Sequence, residues 1–126
     1  MRETAVVIGS DGQVLYWHAP LKRTMVAIPD TRALWDVLWQ HREQLLGVAH
    51  THPGIPAPSQ EDLTTFAACE AGLGRRLKWW ILTADRARCF AWKGPEKLTY
   101  IGTKAHFATW MAELRHRSAS LGEQND

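Results

Sequence analysis

Residues 46–62, Leu-Gly-Val-Ala-His-Thr-His-Pro-Gly-Ile-Pro-Ala-Pro-Ser-Gln-Glu-Asp, set two histidines two apart and a carboxylate ten residues beyond the second. Read as a strand, Gly47 to His52 sends alternate side chains to opposite faces, so His50 and His52 share one. The loop over residues 53–58 holds three of the chain's six prolines and stops regular pairing. Ser59-Gln60-Glu61-Asp62 then has the spacing of a helix capping box, with Asp in place of the more usual Glu. Strand end, loop and helix start bring two imidazoles and a carboxylate together. Such a set suits a borderline divalent ion such as zinc and leaves a fourth position for water. A bare His-x-His is more often an ordinary strand pair, and Asp62 alone would only cap its helix. It is the whole run from His50 to Asp62 that points to a metal, with Glu61 as the alternative carboxylate in the same turn.

Outward from this stretch the chain reads as alternating short strands and helices. Upstream, Thr4 to Ile8 is a β-branched strand, Ser10-Asp11-Gly12 a hairpin turn, and Val14 to Trp17 the returning strand. Met25 to Ile28 supplies a third strand, stopped by Pro29. A helix capped by Asp30 or Thr31 follows and turns Leu34, Trp35, Leu38, Trp39 and Leu45 inward, leaving Arg32, Asp36, Gln40 and Glu43 to solvent.

Downstream, a helix runs from Ser59 through Leu63, Phe66, Ala67 and Glu70 to Gly72 or Gly74. Arg76 to Thr83 and Arg88 to Trp92 form a hairpin in which Trp79 and Trp80 point to opposite sides, one to a core and the other to a possible protein-binding surface. Leu98 to Ile101 adds an edge strand after the break at Gly94-Pro95. Lys104 to Arg117 is a terminal helix with Phe107, Trp110, Met111 and Leu114 on one face. The expected class is α/β (α+β), a curved mixed β-sheet flanked by helices, with one domain over residues 1–117 and a polar C-terminal tail over 118–126.

With 126 residues the chain can bury roughly two-thirds of its unfolded surface as a single domain. Fifteen basic and thirteen acidic residues give a net charge of +2 with no long block of either sign, so a nucleic-acid partner is not expected. No apolar run approaches the length of a membrane span, so no membrane partner is expected either. Cys69 and Cys89 have no CxxC spacing and no signal peptide precedes them, which favours a reduced, cytoplasmic setting in which both are buried and inert. The seven tryptophans read as core and interface mass. His18, His41, His106 and His116 lie in unrelated elements, at the surface or behind the site. Arg75-Arg76 and Arg115-His116-Arg117 read as solvated faces.

His50-Thr51-His52-Pro53 and Ser59-Gln60-Glu61-Asp62 resemble the signature of the JAB/MPN domain metalloprotease family, also called JAMM: an upstream Glu, His-[Ser/Thr]-His-Pro, a short loop, and Ser-x-x-Asp. The resemblance covers nearly the whole chain, in a loop one residue shorter than usual between His52 and Ser59. It implies a JAB/MPN, cytidine deaminase-like architecture and one Zn2+ per chain on His50, His52 and Asp62. It further implies that Ser59 hydrogen-bonds the catalytic water or the oxyanion, and that an upstream Glu acts as general base. Of the two upstream glutamates, Glu43 lies on the polar side of a helix close to His50. Glu3 opens Glu-Thr-Ala-Val-Val-Ile-Gly9, which resembles the family's Glu, short apolar strand, then Gly.

The activity so implied is that of a zinc-dependent isopeptidase or peptidase. Its substrate would be the C-terminal tail of a ubiquitin-like or sulfur-carrier protein, laid beside the metal by strand addition, with E1-like and E2-like proteins as further partners. The alternative is a non-catalytic zinc-binding interaction module. A relation to JAB domains linked to DNA repair is disfavoured, because the chain has neither a helix-hairpin-helix region nor a basic face.

Overall fold

A computed structural model describes residues 3–19, 31–93 and 99–124. Its elements are β1 (Ala5–Gly9), β2 (Val14–His18), α1 (Thr31–Gln40), β3 (Leu45–Thr51), α2 (Gln60–Leu73), β4 (Lys78–Leu82), β5 (Ala87–Lys93), β6 (Thr99–Lys104) and α3 (Thr109–Gln124). The expected strand at Met25 to Ile28 and the break at Gly94-Pro95 lie outside the described residues. The six strands form one mixed sheet in the order β2-β1-β3-β4-β5-β6. Only β3 and β4 run parallel, joined by α2 as a crossover, and every other neighbouring pair is antiparallel.

Alternation along the strands, broken once in β3, gives the sheet two buried faces. Ala5, Val7, Val48, Trp79, Ile81 and Phe90 pack on one side under α1 and α2. Val6, Ile8, Ala49, Trp80 and Leu82 pack on the other, against Trp110, Met111 and Leu114 of α3. Trp79 and Trp80 therefore each belong to a core, 3% and 8% exposed, and neither forms the protein-binding surface that the sequence left open. Cys69 and Cys89 are half-buried free thiols whose pKa burial pushes up, which favours the protonated form.

Three boundaries differ from the sequence reading, each for a long-range reason. Leu45 belongs to β3, not to the first helix. Past Gln40 the chain tightens, with Arg42 donating to the Trp39 carbonyl and Gln44 to that of His41, and the Gln44 carbonyl then takes the Ser10 N–H at 2.7 Å. A bulge follows, since Ile8 faces Gly47 while Gly9 faces Leu45. The extra residue, Leu46, lets Leu45 and Val48 reach the same core although they are three apart. Gly47 is required there, because a Cβ would fall 1.8 Å from the Lys78 carbonyl oxygen. Trp39, expected inward, is 48% exposed beneath the Arg42 guanidinium.

The second boundary is the start of α3. Lys104 completes β6 opposite Arg88, the helix begins only at Thr109, and Phe107 lies before it, 82% exposed. The third is its end, for α3 continues to Gln124 and the chain from Ser118 is no frayed tail over its described part. Ser118 follows Met111 and Leu114 at helical spacing, is fully buried, and lies 3.2 Å from the Thr51 hydroxyl. The arginines read as solvated faces also have structural partners. Arg75 donates to the Arg42 carbonyl, Arg115 to the carbonyls of Thr83 and Arg86, and Arg117 lies over Trp17.

Candidate metal and catalytic site

The C-terminal end of β3 delivers His50 and Thr51, and His52 follows with its N–H on the Leu82 carbonyl at 2.9 Å. Alternation turns both imidazoles to the α1/α2 face and Thr51 to the α3 face. Helix α2 arrives above them through its N-cap. The Ser59 hydroxyl accepts the Asp62 N–H at 3.1 Å, and Asp62 Oδ2 accepts the Ser59 N–H at 2.9 Å, a complete capping box. The cap also aims the carboxylate: Asp62 Oδ2 stands 3.5 Å from His50 Nε2 and 3.7 Å from His52 Nε2. Glu61 is exposed at the rim of the same cavity, so the carboxylate that meets both histidines is Asp62.

These atoms are arranged as donors to a cation. His52 Nδ1 lies 2.9 Å from the Pro53 carbonyl, which can only accept, so Nδ1 carries a proton and Nε2 is the nitrogen turned toward Asp62. His50 Nε2 is buried without a hydrogen-bond partner; 3.5 Å to Asp62 is too long for a good one. Burial would raise the Asp62 pKa, but its interactions with His50 and Ser59 outweigh burial and hold it at about 2, so the carboxylate is ionised at neutral pH. Among the described residues no three of His, Cys, Asp and Glu already stand as a finished metal-holding group. The fit to zinc therefore lies in donor type and direction: two imidazole nitrogens and one anionic oxygen, the buried Nε2 of His50 unpaired, and the tautomer of His52 fixed from behind.

Glu3 lies beyond the start of β1 but not beyond its pairing. Thr4 donates its N–H to the Thr51 hydroxyl and accepts the Thr51 N–H on its carbonyl, both at 3.0 Å. Carried two residues further, the register that pairs Ala5 with His50 sets Glu3 opposite His52. Glu3 lines a cavity of about 580 Å3 together with His50, His52, Ser59 and Asp62. Its pKa is raised: burial is the largest cause, with the Asp62 and Glu61 charges adding to it and the two histidines opposing. Glu43, the other upstream glutamate, is exposed.

Two residues at or behind this site escape sequence reasoning, and a third, His18, falls behind the site, one of the two places the sequence leaves open for it. Phe66, one turn after Asp62, sets its ring edge-on to His50 at 6.3 Å and stacks on Trp79 at 4.2 Å. Glu70, one turn further, is fully buried and accepts four hydrogen bonds, from Arg76 Nη1 (3.0 Å), the Leu77 N–H (3.0 Å), Trp79 Nε1 (2.9 Å) and the Tyr100 hydroxyl (2.7 Å). The four-residue spacing of Asp62, Phe66 and Glu70 was the available signal. His18 is buried, 3.2 Å from the Tyr16 hydroxyl, and its pairing with Ala5 places it in the cross-strand row of His50.

A family model described as prokaryotic homologs of the JAB domain matches residues 2–94. The match spans Glu3, both histidines, Ser59 and Asp62, and stops before β6 and α3. No curated protein matches the chain.

Proposed function

The chain belongs to the prokaryotic JAB-domain family, and on that premise we propose that it is a zinc-dependent isopeptidase or peptidase. Its substrate is the amide bond at the C-terminal tail of a ubiquitin-like or sulfur-carrier protein, a reaction set in the cytoplasm with E1-like and E2-like proteins as associated partners. The observation that carries this reading is the convergence of His50, His52 and Asp62 on one cavity that Glu3 and Ser59 also line. No helix among the described residues is long and apolar enough to cross a membrane.

Zinc held by His50 Nε2, His52 Nε2 and an Asp62 oxygen would supply Lewis acidity toward a water and toward the scissile carbonyl. The chain's own groups do the rest. Glu3, its carboxylate made more basic by burial, takes the proton from the attacking water and returns it to the leaving amine. The Ser59 oxygen already accepts from the Asp62 N–H, which leaves the hydroxyl proton to donate to the developing oxyanion. The Pro53 carbonyl keeps His52 in the tautomer that offers Nε2. Leu34, Val48 and Phe66 give the cavity an apolar wall beside these polar groups.

The test is metal analysis after metal-sparing purification, joined to cleavage of a Gly-Gly-extended ubiquitin-like protein. Zinc should be present in the wild type and lost in His52→Ala and Asp62→Ala. Glu3→Gln should keep zinc while cleavage falls by roughly 10²–10⁴. A zinc-free wild type would sink the reading, and a full-rate Glu3→Gln would remove the base assignment. The alternative is a non-catalytic zinc-binding interaction module, in which no cleavage occurs and Glu3→Gln behaves as wild type.

A further inference from the structure

Strands β5 and β6 extend the face that carries the histidines. The register sets His50, Ile81, Arg88 and Lys104 in one row across β3, β4, β5 and β6. Opposed residues in a sheet share a face and strands lie ~4.8 Å apart, which puts Arg88 about 10 Å and Lys104 about 14 Å from His50. A groove of about 820 Å3 wraps this end of the sheet, from Ile55 of the loop after His52 to Phe107, Met111 and Arg115 on the side of α3.

These two side chains are 63% and 82% exposed. Single exposed apolar residues are ordinary, but two lining one groove mark a contact surface. Arg88, Lys104 and Arg115 line the same groove, and among the described residues none of the three pairs with a carboxylate. Two of them are held in place by backbone oxygens, Arg88 by Gly102 and Arg115 by Thr83 and Arg86. The groove's acid, Asp85, is 3.8 Å from Arg86. In a chain whose net charge is only +2, this is a local excess of positive charge around an apolar centre.

We propose that this groove docks the folded body of an acidic protein, with an apolar side chain between Ile55 and Phe107 and carboxylates over Arg88, Lys104 and Arg115. The inference rests on the peptidase reading, for which it supplies the substrate's surface chemistry. About three to four extended residues span the 10–14 Å from the row's far end to His50, so a protein seated here can lay its terminal tail on the candidate zinc site. The apolar centre selects a protein over a nucleic acid, whose backbone would need a track of phosphate contacts instead.

The test is an NMR titration of the full isotope-labelled chain with three probes: the blocked peptide Asp-Glu-Leu-Phe-Glu-Asp, its counterpart Lys-Arg-Leu-Phe-Lys-Arg, and a ten-nucleotide oligo-dT. The acidic peptide should shift the amides of Ile55, Arg88, Lys104 and Phe107, and the basic peptide should not. Lys104→Glu and Phe107→Ser, both at exposed side chains, should each weaken acidic-peptide binding roughly tenfold and leave the amides of the distant strand β2 unmoved. An acidic peptide that leaves the groove unshifted, equal binding of the two peptides, or tighter binding of the oligonucleotide would overturn the proposal. Binding needs no turnover, so a chain that docks the peptide but neither holds zinc nor cleaves would fail the peptidase reading while keeping the groove.

Discussion

Asp62 and Glu70 stand two turns apart on one face of α2, with Phe66 between them, and the protein surrounds these two carboxylates differently. Glu70 has a donor on every side: a guanidinium, a backbone N–H, an indole N–H and a phenol. Its two oxygens are saturated, so nothing is left over for a ligand. Asp62 takes one hydrogen bond from the Ser59 N–H and otherwise meets the two imidazole nitrogens at 3.5 and 3.7 Å, one of them buried without a hydrogen-bond partner. A carboxylate whose surroundings are complete holds the fold together, and one that faces an imidazole nitrogen without a hydrogen-bond partner keeps an oxygen for the proposed metal. Phe66 touches both ends, stacked on the Trp79 that Glu70 fixes and edge-on to the His50 that Asp62 faces.

Substitutions should separate the two roles. Glu70→Leu leaves three donors unpaired behind the core and strips Arg76 of its carboxylate, and is expected to cost about 3–5 kcal/mol in urea unfolding. Asp62→Asn keeps an oxygen for the Ser59 N–H and should cost less than about 1 kcal/mol, while abolishing zinc binding. Equal losses of stability would break the contrast. Thr51→Val, on the opposite face of the site strand, removes the hydroxyl that accepts the buried Thr4 N–H. It should cost about 1–3 kcal/mol and speed hydrogen exchange at the Thr4 amide, beside Glu3, more than at β4 amides.

The smallest effect belongs to Tyr100, whose hydroxyl donates to Glu70. Burial, with the Glu70 hydrogen bond and charge, raises its pKa well above the ordinary phenol value of 10. The fold holds the neutral form, so this contribution is complete below pH 10 and is lost as the pH rises beyond it. A wild-type chain should lose melting temperature above pH 10 more steeply than Tyr100→Phe, which itself costs about 1 kcal/mol at neutral pH. Parallel alkaline profiles would show that the Glu70 cluster does not restrain the phenol.

What the sequence made legible was local. The capping box at Ser59, the alternation that pairs His50 with His52, the hairpin at Gly12 and the opposed faces of Trp79 and Trp80 each follow from neighbours within a few residues. What it hid depends on partners far along the chain. Leu45 fits a helical period but is captured by β1 through a bulge. Ser118 reads as the start of a polar tail but packs on Thr51, 67 residues away. Glu70 looks like any solvent-facing helix glutamate until Arg76, Leu77, Trp79 and Tyr100 converge on it. Glu3 was suggested by resemblance, and the Thr4–Thr51 bonds that carry it to the cavity could not be read from composition or periodicity.

The contrast on α2 is tested most directly by the zinc content of three chains purified without chelators: wild type, Asp62→Asn and Glu70→Gln. About one zinc per chain in the wild type and in the folded fraction of Glu70→Gln, and none in Asp62→Asn, is the expected result. A wild type without zinc, or an Asp62→Asn chain that keeps it, would contradict the assignment of Asp62 as the carboxylate left open for a metal.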